Sequence, residues 1–399
     1  MKLSGRIGRI KPSATLSINA KAKALKRSGV GVFNFGTGEP DFDTPQNIRD
    51  AAIQSVCSGQ TRYTAVGGID ELKDAVCGVI KADYGLSFGR ENVLVSCGGK
   101  HALYNLFMTL LDPGDEVIIP SPFWVSYPDM VELADAKPVI VGCPEKDGFI
   151  LRPEALDKAI TANTKLLILN SPSNPTGKYY GPDELKALAE VLLGHENVLI
   201  ASDDIYYRLL FGGRKWVGMG MVEEKLHERI FIINGVSKTY CMTGWRIGYL
   251  VGDPAVIKAA TDFQSQVTSN ASSISQWASV EALNGAQNSA TEMALTFEKR
   301  CKRVMEIIAD LPEVTCTEPD GAFYVFPNFS AHFGKKFAGR TINGSVDLAA
   351  FLMDEAHVAA VPGEAFGDDN CIRFSYALSM EEIVPGFDAV KRALSKLKR

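Results

Sequence analysis

Ser237-Lys238-Thr239-Tyr240-Cys241-Met242-Thr243-Gly244-Trp245-Arg246-Ile247-Gly248-Tyr249 is the stretch on which the reading of this chain turns. The run before it, Arg229 to Asn234, is short, apolar and of β type, and ends in Asn-Gly; Ile247 to Val251 reads as a second such run. Lys238 therefore falls just past a strand end, where open α/β sheets leave a crevice at the carboxyl edge of their parallel strands. A lysine amine held there can condense with an aldehyde, and Arg246, in a setting that reads as buried, can grip a phosphate with its planar fork. A lone pair of this kind is better explained as a surface lysine and a turn-capping arginine. The rest of the chain has to shift that balance.

Working outward, strand-like runs alternate with helical ones. Val93 to Ser96, Glu116 to Pro120, Pro138 to Val141, Lys165 to Asn170 and Val198 to Ser202 read as strands, mostly separated by helical segments. Such alternation predicts a mainly parallel sheet covered on both faces. Earlier, Val30 to Phe35 reads as a short strand entering the turn Gly36 to Pro45, and Ser17 to Ser28 has helical composition. After Pro254 the chain turns helical, and Thr291 to Leu311 has the length and charge of one long helix. Beyond it, Gly321 to Phe326 and Cys371 to Tyr376 read as strands of a smaller α+β unit. The expected division is residues 1–45 with the small unit, 46–290 as the large domain, and 291–399 as the small carboxyl-terminal domain.

Composition restricts the function. The chain has 399 residues, 46% hydrophobic and 22% charged, with a net charge of −5, so no positive excess invites nucleic acid. No run of about 18 apolar residues predicts a membrane span. Eight scattered cysteines form no Cys-x-x-Cys pair, which fits a reducing cytoplasm, and the five histidines have no metal-ligand spacing, so no metal is expected. The basic amino terminus, without an acid before Glu39, has the look of a transit peptide but lacks a long apolar core; a basic first helix is the better reading.

Three strand ends carry polar motifs in succession. Asn170 to Gly177 holds Asn174 in a proline-rich turn, Ser202-Asp203-Asp204-Ile205-Tyr206 puts an acid at a strand end, and Lys238 follows the third. Each alone is equally well a cap or a packed side chain. A fourth junction, Val93 to Ser96 leading through Gly98-Gly99-Lys100 into a helix, outlines an anion site at a helix amino terminus without the spacing of a Walker loop.

Taken together with Lys11-Pro12-Ser13-Ala14-Thr15, Gly38-Glu39-Pro40-Asp41-Phe42, Pro122 to Tyr127, Asn174-Pro175-Thr176-Gly177, Gly244 to Tyr249 and Gly321-Ala322-Phe323-Tyr324, this order resembles the class I aminotransferases of fold type I. Within them the chain is similar to the bacterial and plastid branch of aspartate aminotransferase that also contains prephenate aminotransferases. The resemblance spans essentially the whole chain. It implies an α/β fold, pyridoxal 5'-phosphate as cofactor and a homodimer with shared active sites. Lys238 would bond the cofactor's aldehyde and move the proton. Asp203 would pair with the pyridine nitrogen, Asn174 and Tyr206 with the phenolic oxygen, and Trp124 would stack on the ring. Gly99, Lys100, Ser237, Arg246 and Tyr63 from a neighbouring subunit would hold the phosphate. Gly235 stands where the family often has a serine, so Ser237 or water replaces one hydroxyl. Arg373, helped by the Gly38 N–H, would clamp the substrate's α-carboxylate, with Lys100, Ser13 and Thr15 at a second carboxylate.

The implied activity is amino-group exchange between aspartate or glutamate and their 2-oxo acids. Prephenate or aromatic transamination differs only in pocket shape. A lyase on the same cofactor is disfavoured by the dicarboxylate pocket, and a transcription regulator by the lack of residues for a DNA-binding domain.

Overall fold

The apolar runs of the first two thirds of the chain assemble into one seven-stranded sheet. A computed structural model describes residues 3–5, 7–10 and 14–399, with only the backbone of Ala14. The strands are β1 (Val93–Ser96), β2 (Glu116–Ser121), β3 (Lys137–Gly142), β4 (Thr164–Asn170), β5 (Leu199–Asp203), β6 (Ile230–Gly235) and β7 (Gly248–Val251), in the spatial order β1-β7-β6-β5-β4-β2-β3. All neighbours are parallel except β7, which runs antiparallel to both β1 and β6. Its direction follows from the Lys238 loop, which returns the chain beside β6 without a crossover helix.

Strand residues divide by parity between two apolar clusters. Leu166 and Ile168 face one with Leu103 and Phe107 of the helix Gly99–Leu110; Leu167 and Leu169 face the other with Leu185, Leu188 and Leu192 of the helix Pro182–Leu193. Both faces of the central strands are covered, so those strands read as continuous apolar runs, whereas the edge strand β3 is half-exposed. Strand order reverses between β2 and β4, the position at which such sheets open a crevice. Register aligns the strand ends there: Asn170 pairs with Asp203, and Asp203 with Ile233.

The carboxyl-terminal third has its own apolar cluster around Phe297, Phe323, Leu352, Phe374 and Phe387. A three-stranded antiparallel sheet of Val361–Pro362, Ile372–Ser375 and Tyr324–Val325 lies with the helices Asn288–Ala309, Ser345–Ala356 and Met380–Leu394. The amino-terminal residues join it. Phe35 packs edge-on against Phe374 and Phe387 at 5.6 and 5.1 Å, and Phe33–Asn34 pairs in parallel with Val358–Ala359. Two strands are shorter than the sequence predicts: of Val30 to Phe35 only Phe33–Asn34 pairs, and of Gly321 to Phe326 only Tyr324–Val325 belongs to the sheet. The basic helix is present as Ala14–Arg27.

Candidate active site

Lys238 lies on the turn that leaves β6, and its Nζ donates to the Gly38 carbonyl at 2.7 Å. Burial is the main cause that lowers its pKa to about 8; Arg246 and Arg373 push the same way, against Glu39 and Asp203. Two guanidiniums and two carboxylates thus act on one amine.

At the end of β5, Asp203 is buried. Tyr127 donates to its Oδ2 at 2.6 Å, the Ile205 N–H lies 3.4 Å from Oδ1, and Asn170 Nδ2 donates to its backbone carbonyl at 2.8 Å. Desolvation pushes the Asp203 pKa up to about 6, although the Tyr127 bond lowers it. The neighbouring Asp204 points elsewhere, accepting from Ser202 at 2.7 Å and Tyr84 at 3.1 Å, and burial raises it to about 7. Tyr206 is buried with its hydroxyl 2.8 Å from that of Tyr324.

The anion cradle is built from glycines. Gly98, at φ 93°, precedes the helix Gly99–Leu110, whose first backbone hydrogen bonds come from His101 and Ala102, so the Gly99 and Lys100 N–H groups precede them. A Cβ at Gly98 would collide with the Arg246 guanidinium, and one at Gly248 with the Gly98–Gly99 backbone. Arg246 itself, at φ 57°, donates to the carbonyls of Thr243 at 2.9 Å and Cys97 at 3.3 Å. Against the expectation of a buried arginine it is exposed, at a turn whose backbone is left-handed there.

Arg373 is 2% exposed. It donates to Asn174 Oδ1 at 3.1 Å and to the Gly36 carbonyl at 2.8 Å, and its guanidinium lies against Tyr324 at 4.7 Å and Phe366 at 5.1 Å. Its Nε is buried without a partner, and among the described residues no carboxylate pairs with it. A buried cation left this way is suited to an anionic ligand. Trp124 meets Tyr127 edge-on at 5.3 Å and carries the Lys100 ammonium 4.8 Å from its centroid. Burial lowers the Lys100 pKa, with Arg246 assisting.

The other predicted residues are less engaged. Ser237 is buried beside Lys238, Gly38 approaches Tyr324 and Arg373, and Thr15 is partly buried on the first helix. Tyr63 is 93% exposed. Ser13 lies outside the described residues. Sequence reasoning assigned no role to Tyr127 or Tyr324; their presence in the Pro122 to Tyr127 and Gly321 to Tyr324 motifs was the only signal.

The family model described as aminotransferase class I and II matches residues 30–390. The chain belongs to that family. As an aminotransferase it uses pyridoxal phosphate, and the residues fit that group: a cradle that a Cβ would fill, an amine with a lowered pKa and a buried acid share one crevice. The aminotransferase is 48% identical over 396 residues to a probable aspartate/prephenate aminotransferase of Rickettsia bellii, covering 99% of each chain. A crystal structure of the aspartate aminotransferase from Rhizobium meliloti superimposes with a TM-score of 0.96 at 42% identity and 100% coverage of both chains. That of the Thermus thermophilus aspartate aminotransferase with maleate gives 0.92 at 39% identity, covering 98% of this chain and 100% of the other.

Proposed function

We propose that this aminotransferase exchanges the amino group of aspartate or glutamate with oxaloacetate or 2-oxoglutarate in two half-reactions, and that prephenate is a further acceptor. The observation that carries the reading is Arg373, a buried cation without a counter-ion among the described residues and with its Nε unpartnered, close enough to Lys238 for its charge to lower the lysine's pKa. A planar fork so placed suits an α-carboxylate, and the Gly38 N–H adds a donor. Lys100, held over Trp124, supplies a second cation for the distal carboxylate, to which the hydroxyls of Thr15 and Ser13 would add donors. The relatives named for aspartate and for prephenate favour both acceptors, since each offers a second carboxylate.

Pyridoxal phosphate, when bound, supplies an aldehyde for the amino group and a ring that withdraws electrons from the substrate's α-carbon. The chain's own groups do the rest. Gly99 and Lys100 N–H groups, the Ser237 hydroxyl, Arg246 and Tyr63 of the partner subunit would hold the phosphate. Asp203, oriented by Tyr127, would keep a proton on the pyridine nitrogen. Tyr206 and Asn174 would donate to the phenolic oxygen, and Trp124 would stack on the ring. Lys238, with its amine free, would take the substrate's α-proton and pass it to the cofactor's aldehyde carbon within the same half-reaction, and the second half-reaction would run the transfer in reverse; a lowered pKa leaves the amine neutral for that task.

The exposure of Tyr63 supports a homodimer with shared sites. In this reading residues 46–290 form the cofactor domain, and 291–399 with 1–45 the small domain, in a cytoplasmic enzyme of amino-acid biosynthesis. A donor and acceptor panel tests the specificity. Aspartate or glutamate with 2-oxoglutarate, oxaloacetate or prephenate should be the fastest pairs. Faster turnover of aliphatic amino acids, or release of pyruvate or carbon dioxide without an acceptor, would contradict it.

A further inference from the structure

Tyr324 has no role in the scheme above, yet it touches three residues that do. Its hydroxyl lies 2.8 Å from the Tyr206 hydroxyl, and its ring carries the Arg373 guanidinium at 4.7 Å. The same hydroxyl is the atom nearest to a Cβ built on Gly38, at 3.0 Å, and the Gly38 carbonyl receives the Lys238 amine. Its placement is set by the backbone. Tyr324 pairs with Ser375 across the antiparallel sheet, two residues from Arg373, and its side chain is fully buried.

We propose that Tyr324 is a positioning residue that orients both the Tyr206 hydroxyl and the Arg373 guanidinium, so that one side chain couples the donor to the cofactor's phenolic oxygen to the carboxylate clamp. The inference rests on the roles assigned to Tyr206 and Arg373 above. A phenol has one proton and two lone pairs. For Tyr206 to give its proton to the cofactor, the bond between the tyrosines must run from Tyr324 to Tyr206. The cation against the Tyr324 ring favours that direction, because a guanidinium on the π face draws electron density from the phenol and strengthens it as a donor. A hydroxyl that accepts while it donates is itself strengthened, by roughly 10–30% per bond. The ring also keeps the fork flat: Tyr324 on one side and Phe366 at 5.1 Å leave the guanidinium little freedom to turn.

The test uses the holoenzyme with Tyr324→Phe and Tyr324→Leu, read by pH titration of the cofactor's visible band and by KM for aspartate. Tyr324→Phe keeps the ring and loses the hydroxyl. Weaker donation from Tyr206 leaves more charge on the phenolic oxygen and holds the neighbouring nitrogen's proton longer, so the midpoint should rise by about 0.5 unit while KM stays within about twofold. Tyr324→Leu should show the same rise together with a roughly tenfold increase in KM. In a Tyr206→Phe background the Tyr324→Phe change should move the midpoint no further. An unmoved or lowered midpoint in Tyr324→Phe, or an undiminished shift in the Tyr206→Phe background, overturns the proposal. Tyr324→Phe preserves the buried ring and carries the test where Tyr324→Leu does not fold. A wild-type enzyme without a visible band would instead overturn the assignment of Lys238.

Discussion

Replacing Arg373 with methionine should remove carboxylate recognition without loosening the fold. The guanidinium is buried, hydrogen-bonded only to Asn174 Oδ1 and the Gly36 carbonyl, with Nε unpartnered and no carboxylate partner among the described residues. Keeping such a cation out of water costs several kcal/mol, in line with its lowered pKa, which burial causes. Removing it recovers that cost and leaves two acceptors without a donor, about 1–3 kcal/mol each. The two effects oppose and are similar in size, so Tm should stay or rise. Function behaves differently. Two charge-assisted bonds to a carboxylate, each worth about 1.5–3 kcal/mol, correspond to a loss of about 10²- to 10⁴-fold in kcat/KM. Arg373→Lys keeps the charge without the fork and should recover only about tenfold of it. Steady-state kinetics with aspartate and 2-oxoglutarate, and thermal melts of the same preparations, decide the matter. A Tm several degrees lower with kcat/KM within about threefold of wild type would make Arg373 a structural residue and refute the reasoning.

Three further outcomes follow from the site. Tyr127→Phe removes the 2.6 Å bond that lowers the Asp203 pKa, so a pH-rate profile should show its acidic limb moved upward and kcat down by about tenfold. Gly98→Ala places a Cβ in the Arg246 guanidinium at a left-handed φ of 93°; titration of apoenzyme with pyridoxal phosphate should show affinity reduced by at least about tenfold, with a stability loss of about 1–2 kcal/mol in urea melts. Covalent capture of the cofactor by apoenzyme, followed by stopped-flow absorbance, should rise with pH and level off above about 8, as Lys238 loses its proton. In Arg246→Gln that midpoint should move upward, since the arginine's charge lowers the lysine's pKa.

What the sequence discloses is what is local. Asn170, Asp203 and Lys238 each follow an apolar run, so their common edge can be read from strand ends alone, and the register of β4, β5 and β6 brings those ends side by side. The direction of β7 cannot be read this way, because a short apolar run looks the same parallel or antiparallel. Contacts distant along the chain are likewise hidden. Tyr127 reaches Asp203 across 76 residues, Tyr206 meets Tyr324 across 118, and Arg373 returns to Gly36 across 337. No periodicity encodes such pairings; they exist because the helix after β2 and the three-stranded sheet converge on one crevice. The exposure of Arg246 is equally hidden, since no neighbouring residue type announces its left-handed backbone.

The central claim is that Lys238 carries the cofactor, and borohydride reduction of the holoenzyme followed by peptide mass mapping tests it most directly. The adduct should appear on Lys238 alone, and Lys238→Ala should be colourless and inactive in transamination. An adduct on another lysine such as Lys100, or full transamination by Lys238→Ala, would contradict the account.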